Sequence, residues 1–279
     1  MRWEASRCPC AGEGRRPASP DGADTRGYVD LHSHVLPGLD DGAGTIEESL
    51  ELARALSASG VRVLAATPHC SERYPTTARQ LNAGLASVRL ALRQAGIAIE
   101  LVAGAEIALD RLRGLDDETL EAFTFGGAGR FVLLEFPYDG WPVGLPRQLG
   151  DLAAAGIGAV LAHPERNREV QAAPQRLAGF VDEGALVQVN AGSFLRAHSG
   201  RVETVAWSLL ESGLVHLLAS DSHGPGNRPT LADAADSLPA AVFECLARDA
   251  PAAILAGNRP PEPPPVPPRR RRRFLFARR

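Results

Sequence analysis

The feature that most constrains the fold is a repeated alternation of short apolar runs with longer amphipathic segments, which begins at Tyr28. The apolar runs predict seven β-strands, at residues 28–32, 61–66, 99–103, 131–134, 159–162, 186–190 and 215–219. Four intervening segments, at residues 46–59, 78–95, 145–155 and 201–212, have a helical period, and a glycine that can end a helix follows each. Repeated strand–helix units indicate a parallel sheet. Seven units predict an α/β fold that closes, or nearly closes, into a TIM-like barrel, with a doubly wound open sheet as the alternative.

The alternation is confined to residues 28–258, which we interpret as a single catalytic domain of the size usual for one barrel. Residues 1–27 are rich in Gly, Pro, Ala and Arg and have no hydrophobic period, which predicts a disordered extension. Residues 259–279 combine a proline-rich run with a block of arginines, which predicts an extended, solvated tail.

Charge separates the body of the chain from its tail. The last eleven residues hold seven arginines and no acid, so the formal net charge of −3 becomes −10 for the rest of the chain. An acidic body is not expected to bind nucleic acid specifically, because proteins that do so present a basic face to the phosphates. The tail suits weak contact with an anionic membrane, although a tail without a binding role fits equally well. The sequence leaves a homo-oligomer open.

All thirty basic residues are arginine, which excludes Schiff-base chemistry on a lysine and metal sites built on a carbamylated lysine. The four cysteines form neither a zinc-binding pattern nor a dense disulfide framework, and this favours a reducing compartment. No apolar run reaches the roughly 18 residues that a membrane span needs, and residues 1–27 lack the apolar centre of a signal peptide. We therefore predict a cytoplasmic protein.

Polar clusters follow six of the seven predicted strands. The C-terminal ends of barrel strands share one rim, so these clusters are expected to form one site. His32 and His34 point to the same side because side chains alternate along a strand. The candidate ligands are His32, His34, one of Asp40 and Asp41, His69, Glu106, Glu135, His163, Asp221 and His223. Burying these groups would be unfavourable unless they were paired or bound to metal. We interpret the remaining histidines, His198 and His216, as structural.

Nine candidate ligands exceed the four to six that one ion takes, which predicts two or three ions that share bridging carboxylates. Imidazole and carboxylate ligands without cysteine favour Mn, Fe or Zn. Clustered cations lower the pKa of a bound water and stabilise the attacking and leaving oxygens in phosphoester hydrolysis, although amide hydrolysis uses similar groups. Arg166 and Arg228, on rim loops, favour phosphate as the bound group because guanidinium binds phosphate oxygens bidentately. Surface ion pairing is the alternative interpretation of both arginines.

The clusters belong to longer motifs: Asp30-Leu-His-Ser-His-Val-Leu-Pro-Gly-Leu-Asp-Asp-Gly-Ala43, Ala66-Thr-Pro-His69, Gly104-Ala-Glu-Ile107, Leu134-Glu-Phe-Pro-Tyr138, Ala162-His-Pro-Glu-Arg-Asn167 and Ala219-Ser-Asp-Ser-His223. In these motifs the sequence resembles the polymerase and histidinol phosphatase (PHP) family, and within it the bacterial tyrosine-protein phosphatases of capsular and exopolysaccharide synthesis. Two features depart from that family, the proline–arginine tail and Cys70, which stands where the family often has a second histidine. Neither involves a predicted ligand.

The resemblance implies a distorted seven-stranded barrel, the PHP fold, with three divalent ions, usually manganese, that hydrolyses phosphotyrosine by a metal-activated hydroxide. It implies ligand sets of His32, His34, Glu106 and Asp221 for one ion, of Glu106, Glu135 and His163 for a second, and of Asp41, His69 and His223 for a third. Asp41 is preferred to Asp40 because it is the second Asp of the family's Asp-Asp-Gly motif. Arg166 and Arg228 match positions that bind the phosphate. The implied partner is a phosphotyrosine protein, the tyrosine kinase of polysaccharide synthesis.

Two other functions remain open at this point. One is a phosphatase of the same superfamily that acts on a small molecule such as histidinol phosphate. The Asp-Asp-Gly-Ala and Glu-Phe-Pro-Tyr motifs favour the tyrosine phosphatases over it. The other is a non-catalytic binding module, against which the presence of all nine ligands argues.

Overall fold

The computed structural model describes residues 27–127, 129–195, 197, 199–226 and 229–268. Its strands are β1 (Tyr28–Asp30), β2 (Val61–Ala66), β3 (His69–Cys70), β4 (Glu100–Ala103), β5 (Glu106–Ala108), β6 (Phe131–Glu135), β7 (Gly158–Ala162), β8 (Leu186–Asn190) and β9 (Leu217–Ala219). Its α-helices are α1 (Ile46–Ala58), α2 (Ala78–Gln94), α3 (Leu109–Leu112), α4 (Asp117–Ala122), α5 (Leu145–Ala154), α6 (Arg168–Ala172), α7 (Ala178–Asp182), α8 (Gly200–Glu211), α9 (Ala240–Glu244) and α10 (Ala250–Leu255). Each predicted strand overlaps an observed one, with its ends within two residues of the prediction.

The strands form two parallel sheets, one ordered β1-β2-β4 and the other β3-β5-β6-β7-β8-β9. The two short strands that were not predicted, β3 and β5, lie within the polar clusters themselves and pair His69 with Glu106. The strand order follows the chain without reversal, which argues against a doubly wound sheet, because that fold requires a switch point in its strand order.

The predicted closed barrel is not confirmed, because the described strands do not form one continuous closed sheet. The last strand nevertheless reaches the first at the C-terminal end. Ser33 and Ser222 form an isolated parallel bridge. The backbone N–H of His34 donates to the carbonyl of Ser222 at 2.9 Å, and that of Asp221 donates to the carbonyl of His32 at 3.0 Å. These bonds hold the first and last polar clusters side by side.

The predicted helices at residues 46–59, 78–95, 145–155 and 201–212 are observed as α1, α2, α5 and α8, with their ends within one or two residues of the prediction. Each helix is followed by a glycine with a positive φ, such as Gly60 at 97°, a conformation that glycine adopts without steric cost. Thr77 begins α2 as a capping box with Gln80, which satisfies two backbone N–H groups at the helix start.

The core divides into two apolar clusters because side chains alternate along each strand. In β6, Val132 and Leu134 belong to the larger cluster beneath the helices, whereas Leu133 belongs to the smaller one on the opposite face. Glu135 continues the alternation of Leu133 at the end of the strand. In β6 the alternation that places Leu133 in the smaller cluster therefore also delivers Glu135 to the site at the end of the strand.

The first residues of the predicted tail pack against the body. Val266 is buried in the larger apolar cluster, and the thiol of Cys245 lies 3.9 Å from the carbonyl oxygen of Pro261. The boundaries at residues 27/28 and 258/259 stay predictions, and residues 1–26 and 269–279 lie outside the described residues. Among the described residues, no helix combines the length and the apolar character that crossing a membrane requires.

Candidate metal centre

The nine predicted ligands lie together at the C-terminal edge of the two sheets. Six of these ligands lie in or directly after strands: His32 and His34 after β1, His69 in β3, Glu106 in β5, Glu135 at the end of β6, and His163 after β7. Asp221 and His223 follow β9, and Asp41 lies in the loop before α1. Parallel strands place all their C-terminal ends at one edge, so residues far apart in sequence converge there.

Glu106 is the centre of the cluster. Its side chain is fully buried, with Oε1 2.9 Å from Nε2 of His163 and Oε2 3.0 Å from Nδ1 of His69. Burial alone would raise the pKa of this carboxyl, yet the facing imidazoles, His32 first among them, hold it well below its usual range. The contact between Oε2 and His69 has the distance of an ion pair but not the geometry of a hydrogen bond, so this carboxylate oxygen is placed to bind a cation.

His32 and His34 bring their Nε2 atoms to within 3.2 Å of each other. Both atoms lie 3.3–3.5 Å from Oε2 of Glu106 and 3.5–3.6 Å from Oδ1 of Asp221. Burial alone would lower the pKa of His34, but the carboxylates of Asp221 and Asp40 raise it to about 10. A position that stabilises positive charge this strongly, with nitrogen and oxygen atoms converging on it, suits a divalent cation.

Two further groups have the spacing of metal ligands. His34, Asp41, His69 and His223 form one, and His69, Glu106 and Glu135 form the other. In the first group Oδ1 of Asp41 lies 3.5 Å from Nε2 of His69 and 3.3 Å from Nε2 of His223. In the second, burial and the charge of Glu106 raise the pKa of Glu135. The donors are imidazole nitrogens and carboxylate oxygens throughout, and they fit a site for more than one divalent ion.

Two of these ligands have left-handed backbone conformations. His163 has a φ of 38° and Asp221 a φ of 54°, and they are the two non-glycine residues with positive φ in the described part of the chain. Such conformations cost about 1–3 kcal/mol each and cluster at functional sites. Here each one turns the chain sharply after its strand, so that His163 faces Glu106 and Asp221 faces His32 and His34.

Arg166 follows His163 in a short helical turn, Pro164–Arg166. Its Nη1 donates to Oδ2 of Asp221 at 3.3 Å, and its guanidinium lies 4.6 Å from the ring centre of Tyr138. Asn167 fixes this turn, because its side-chain amide donates to the carbonyls of Pro137 and Gly140 at 2.7 and 2.9 Å. The same amide therefore holds the loop that carries Tyr138. The second predicted arginine, Arg228, lies outside the described residues, as does His198.

A cavity of about 460 Å³ opens above the ligands. Its lining includes Asp41, His69, Glu106, Glu135, His163, Asp221 and His223, together with Arg73, Tyr74, Tyr138 and Arg166. The two tyrosine rings are stacked on ligand imidazoles: Tyr74 on His69 at 5.7 Å and Tyr138 on His163 at 5.8 Å. The cavity is therefore bounded by charge at its base and by aromatic rings at its sides.

The sequence analysis missed three residues that contact the predicted ligands. Asp40, considered above only as an alternative ligand, accepts a hydrogen bond from Nδ1 of His34 at 2.7 Å. Gln188 and Asn190, on the one strand without a predicted cluster, bond to His32 and Asp221. Both amides alternate with the apolar Val187 and Val189, and this polar face of β8 was a sequence signal that could have identified them.

The fold and the site define the class of this protein: a parallel α/β protein with a candidate multinuclear metal centre at the C-terminal ends of its strands. The family model for capsular polysaccharide synthesis, CpsB/CapC, matches residues 28–251. The chain therefore belongs to the CpsB/CapC family, and the resemblance identified in its motifs is confirmed.

Known relatives agree with this assignment. The chain is 32% identical over 203 residues to the tyrosine-protein phosphatase YwqE of Bacillus subtilis, which covers 72% of this chain and 79% of YwqE. It is 27% identical over 209 residues to the tyrosine-protein phosphatase CpsB of Streptococcus pneumoniae, covering 72% and 85% of the two chains. A chain from the crystal structures of YwqE and CpsB, described as unique metal-dependent tyrosine phosphatases, superimposes with a TM-score of 0.77 at 27% identity. That superposition covers 87% of this chain and all of the solved one.

Proposed function

We propose that this chain is a metal-dependent protein-tyrosine phosphatase. The observation that carries the proposal is the convergence of nine imidazole and carboxylate side chains with Glu106 at their centre, beside Arg166 in the lining of one cavity. Relatives named as tyrosine-protein phosphatases match the chain over most of their length. Such a donor set beside a guanidinium suits the binding and hydrolysis of a phosphate ester.

We infer three divalent ions, the number that the family resemblance implies and that gives all nine residues a role. His32, His34, Glu106 and Asp221 would hold the first, Glu106, Glu135 and His163 the second, and Asp41, His69 and His223 the third. The distances within each set, 2.9 Å for Glu106–His163 and 3.3 Å for Asp41–His223 among them, support this assignment. Manganese is the proposed metal, with iron or zinc as alternatives, because the donors are nitrogen and oxygen without thiolate.

When bound, such ions lower the pKa of a water molecule towards neutrality and stabilise charge on the phosphoryl oxygens. The residues of the chain would position the substrate. The guanidiniums of Arg166 and Arg228 would bind the equatorial phosphate oxygens. Tyrosine leaves as a phenolate with a pKa near 10, so this leaving group lessens the need for a general acid.

The aromatic sides of the cavity support an aryl phosphate as substrate. Tyr138 is 43% exposed and stands parallel to His163, with an angle of 2° between the rings. Tyr74 is stacked on His69 at 15°. A phosphotyrosine ring entering between the cavity walls would contact aromatic faces that an alkyl phosphate could not use.

The proposed physiological substrate is the phosphotyrosine segment of a tyrosine kinase of polysaccharide synthesis, in keeping with the family of the chain. We also infer that the two parallel sheets are parts of one interrupted, seven-stranded barrel, which the Ser33–Ser222 bridge supports. Membrane contact through the arginines of residues 269–279, homo-oligomerisation and a cytoplasmic location stay predictions.

The test compares a phosphotyrosine peptide with histidinol phosphate, in manganese and after chelation, on protein whose metal content is measured. We expect kcat/KM to be at least about tenfold higher for the peptide. Chelation should abolish the hydrolysis, and added manganese should restore it. Glu106→Gln should abolish the activity, whereas Arg147→Gln, a change to an exposed arginine on α5, should not. A tenfold preference for histidinol phosphate, or hydrolysis that chelation leaves intact, would contradict the proposal.

A further inference from the structure

Two buried amides on β8 connect two of the predicted ligands. Gln188 is fully buried and Asn190 is 1% exposed. Both lie on the same face of the strand as Leu186, because side chains two residues apart point the same way. Neither amide lines the cavity. Their contacts instead lead from one ligand, His32, to another, Asp221.

The contacts form a continuous chain of three hydrogen bonds. Nδ2 of Asn190 donates to Oδ2 of Asp221 at 2.7 Å. Oδ1 of Asn190 accepts from Nε2 of Gln188, also at 2.7 Å. Oε1 of Gln188 lies 3.0 Å from Nδ1 of His32. The two amides of β8 thereby connect His32, which follows β1, with Asp221, which follows β9.

The direction of every bond follows from the carboxylate at one end. An ionised carboxylate only accepts, so Asn190 must present its NH2 group to Asp221. The carbonyl of Asn190 then accepts from Gln188, and the carbonyl of Gln188 can only accept from His32. Nδ1 of His32 therefore carries the proton. Its Nε2, 3.2 Å from Nε2 of His34, keeps the lone pair that a metal ligand needs.

The same network orients Asp221. Its Oδ2 accepts from both Asn190 and Arg166, at 2.7 and 3.3 Å. Its Oδ1 is left facing Nε2 of His32 and of His34, at 3.6 and 3.5 Å. The amide pair thus acts on both ligands at once, because it sets the tautomer of one and the rotation of the other.

We infer that Gln188 and Asn190 are positioning residues that fix the tautomer of His32 and the orientation of Asp221 toward one shared ion. This inference rests on the proposed metal-dependent function. His34 is oriented differently, by the charged carboxylate of Asp40. Partners of this kind, behind the metal ligands, typically change metal affinity by about 10- to 100-fold when they are removed.

The first experiment replaces Gln188 by methionine, which keeps the volume but removes both hydrogen bonds. The matched control is Gln148→Met, since Gln148 is a buried glutamine on α5 whose amide donates to the backbone carbonyl of Leu109 and not to a predicted ligand. The readouts are manganese affinity by competition with a chelating dye and thermal unfolding of the metal-free proteins. We expect Gln188→Met to weaken binding of one ion by about 10- to 100-fold, and Gln148→Met to leave the affinity unchanged.

A merely structural role predicts the opposite pattern, in which Gln188→Met unfolds at a lower temperature but binds manganese with unchanged affinity, and that result would overturn the inference. Should Gln188→Met not fold, Asn190→Leu removes the bond to Asp221 and makes the same prediction. A test without substitution is the ¹⁵N spectrum of histidine-labelled, metal-free protein. We expect the neutral form of His32 to carry its proton on Nδ1, and a neutral form protonated on Nε2 would overturn the inference.

These outcomes are separate from those of the proposed function. Wild-type protein that hydrolyses phosphotyrosine with manganese, together with Gln188→Met of unchanged affinity, contradicts the positioning role alone. Weaker manganese binding by Gln188→Met, in a wild-type protein that does not hydrolyse phosphotyrosine, supports the positioning role and contradicts the phosphatase proposal alone.

Discussion

The carboxylate of Asp40 accepts a hydrogen bond from Nδ1 of His34 at 2.7 Å. The same oxygen also binds the start of β3, because it accepts from the backbone N–H of His69 at 2.9 Å. Its other oxygen accepts from the backbone N–H of Gly42 at 2.9 Å. Asp40 thus contacts the predicted ligand His34 from behind, whereas its neighbour Asp41 belongs to a group of side chains with the spacing of metal ligands. Adjacent aspartates of one motif have different positions in the site.

This difference predicts different effects of Asp40→Asn and Asp41→Asn on metal binding. Asp41→Asn should lower the metal content at saturation by one ion for each chain, because it removes a ligand. Asp40→Asn should leave that content unchanged but weaken binding by about 10- to 100-fold, since an amide cannot accept all three hydrogen bonds. Metal analysis at saturation and dye competition measure the two quantities. Equal behaviour of the two variants would contradict the assignment of Asp41 as the ligand.

Arg166 should be irreplaceable by lysine. Its guanidinium bonds to Asp221 while lying over the ring of Tyr138, and a lysine ammonium cannot reproduce a planar, stacked and forked donor. We expect Arg166→Lys to lower kcat/KM for phosphotyrosine peptide by about 10²- to 10³-fold. The control is Arg147→Lys, because Arg147 is 79% exposed and forms an ion pair with Asp151. Activity within a few-fold of wild type in Arg166→Lys would exclude a direct role for the guanidinium.

Tyr138 should contribute to selection of aryl over alkyl phosphates. We expect Tyr138→Leu to raise KM for phosphotyrosine peptide about 3- to 10-fold, the usual value of one aromatic contact. The KM for an alkyl phosphate such as phosphoserine peptide should be unaffected. Tyr138→Phe keeps the ring that stacks on His163 and serves as the matched control. An equal change in KM for both substrates would show that the ring does not recognise the aryl group.

His216 should make the fold sensitive to acid. Burial, with a smaller effect of Arg259, lowers its pKa from 6.5 to about 4. The folded state therefore binds a proton less readily than the unfolded one, and the contribution of His216 to stability is complete above pH 6.5 and lost as the pH falls towards 4. The loss amounts to at most about 3 kcal/mol.

The measurement is the free energy of unfolding of wild type and His216→Gln between pH 4 and pH 7, both in chelator. Glutamine keeps an acceptor for the backbone N–H of Val187, which bonds to Nδ1 of His216 at 3.0 Å. As the pH falls from 7 to 4, we expect the free energy of unfolding to decrease more for wild type than for His216→Gln. Parallel curves would mean that His216 does not titrate in the folded protein.

Much of the fold was predictable because it depends on local patterns. The run of residues 61–66 is apolar apart from Arg62 and contains the β-branched Val61 and Val63, and it is observed as β2 over the same residues. Gly156 and Gly213 mark the ends of α5 and α8, where the backbone has a positive φ. The nine candidate ligands follow from a rule that needs no coordinates, since residues at the C-terminal ends of parallel strands share one edge.

The parts that were missed depend on pairing between distant strands. The sequence shows Gln188 and Asn190 as polar residues on an apolar strand, but it does not show that β8 places them against His32 and Asp221. Whether the sheet closes also depends on distant strands. In the described part of the chain, the segments after β1 and β9 meet only through the Ser33–Ser222 bridge, and the two strands themselves are not paired. Both outcomes depend on which distant strands meet and on how they are oriented in three dimensions, which the sequence of a single strand does not show.

The sequence by itself thus determined the strand–helix alternation, the family and the residue types that can bind metal. Only the tertiary structure decided which aspartate lies behind His34, which amides orient His32 and Asp221, and how His163 and Asp221 turn at φ values of 38° and 54°. The physical reason is that periodicity and turn chemistry act over a few residues, whereas a hydrogen bond between residues 32 and 188 exists only once the sheet has aligned them.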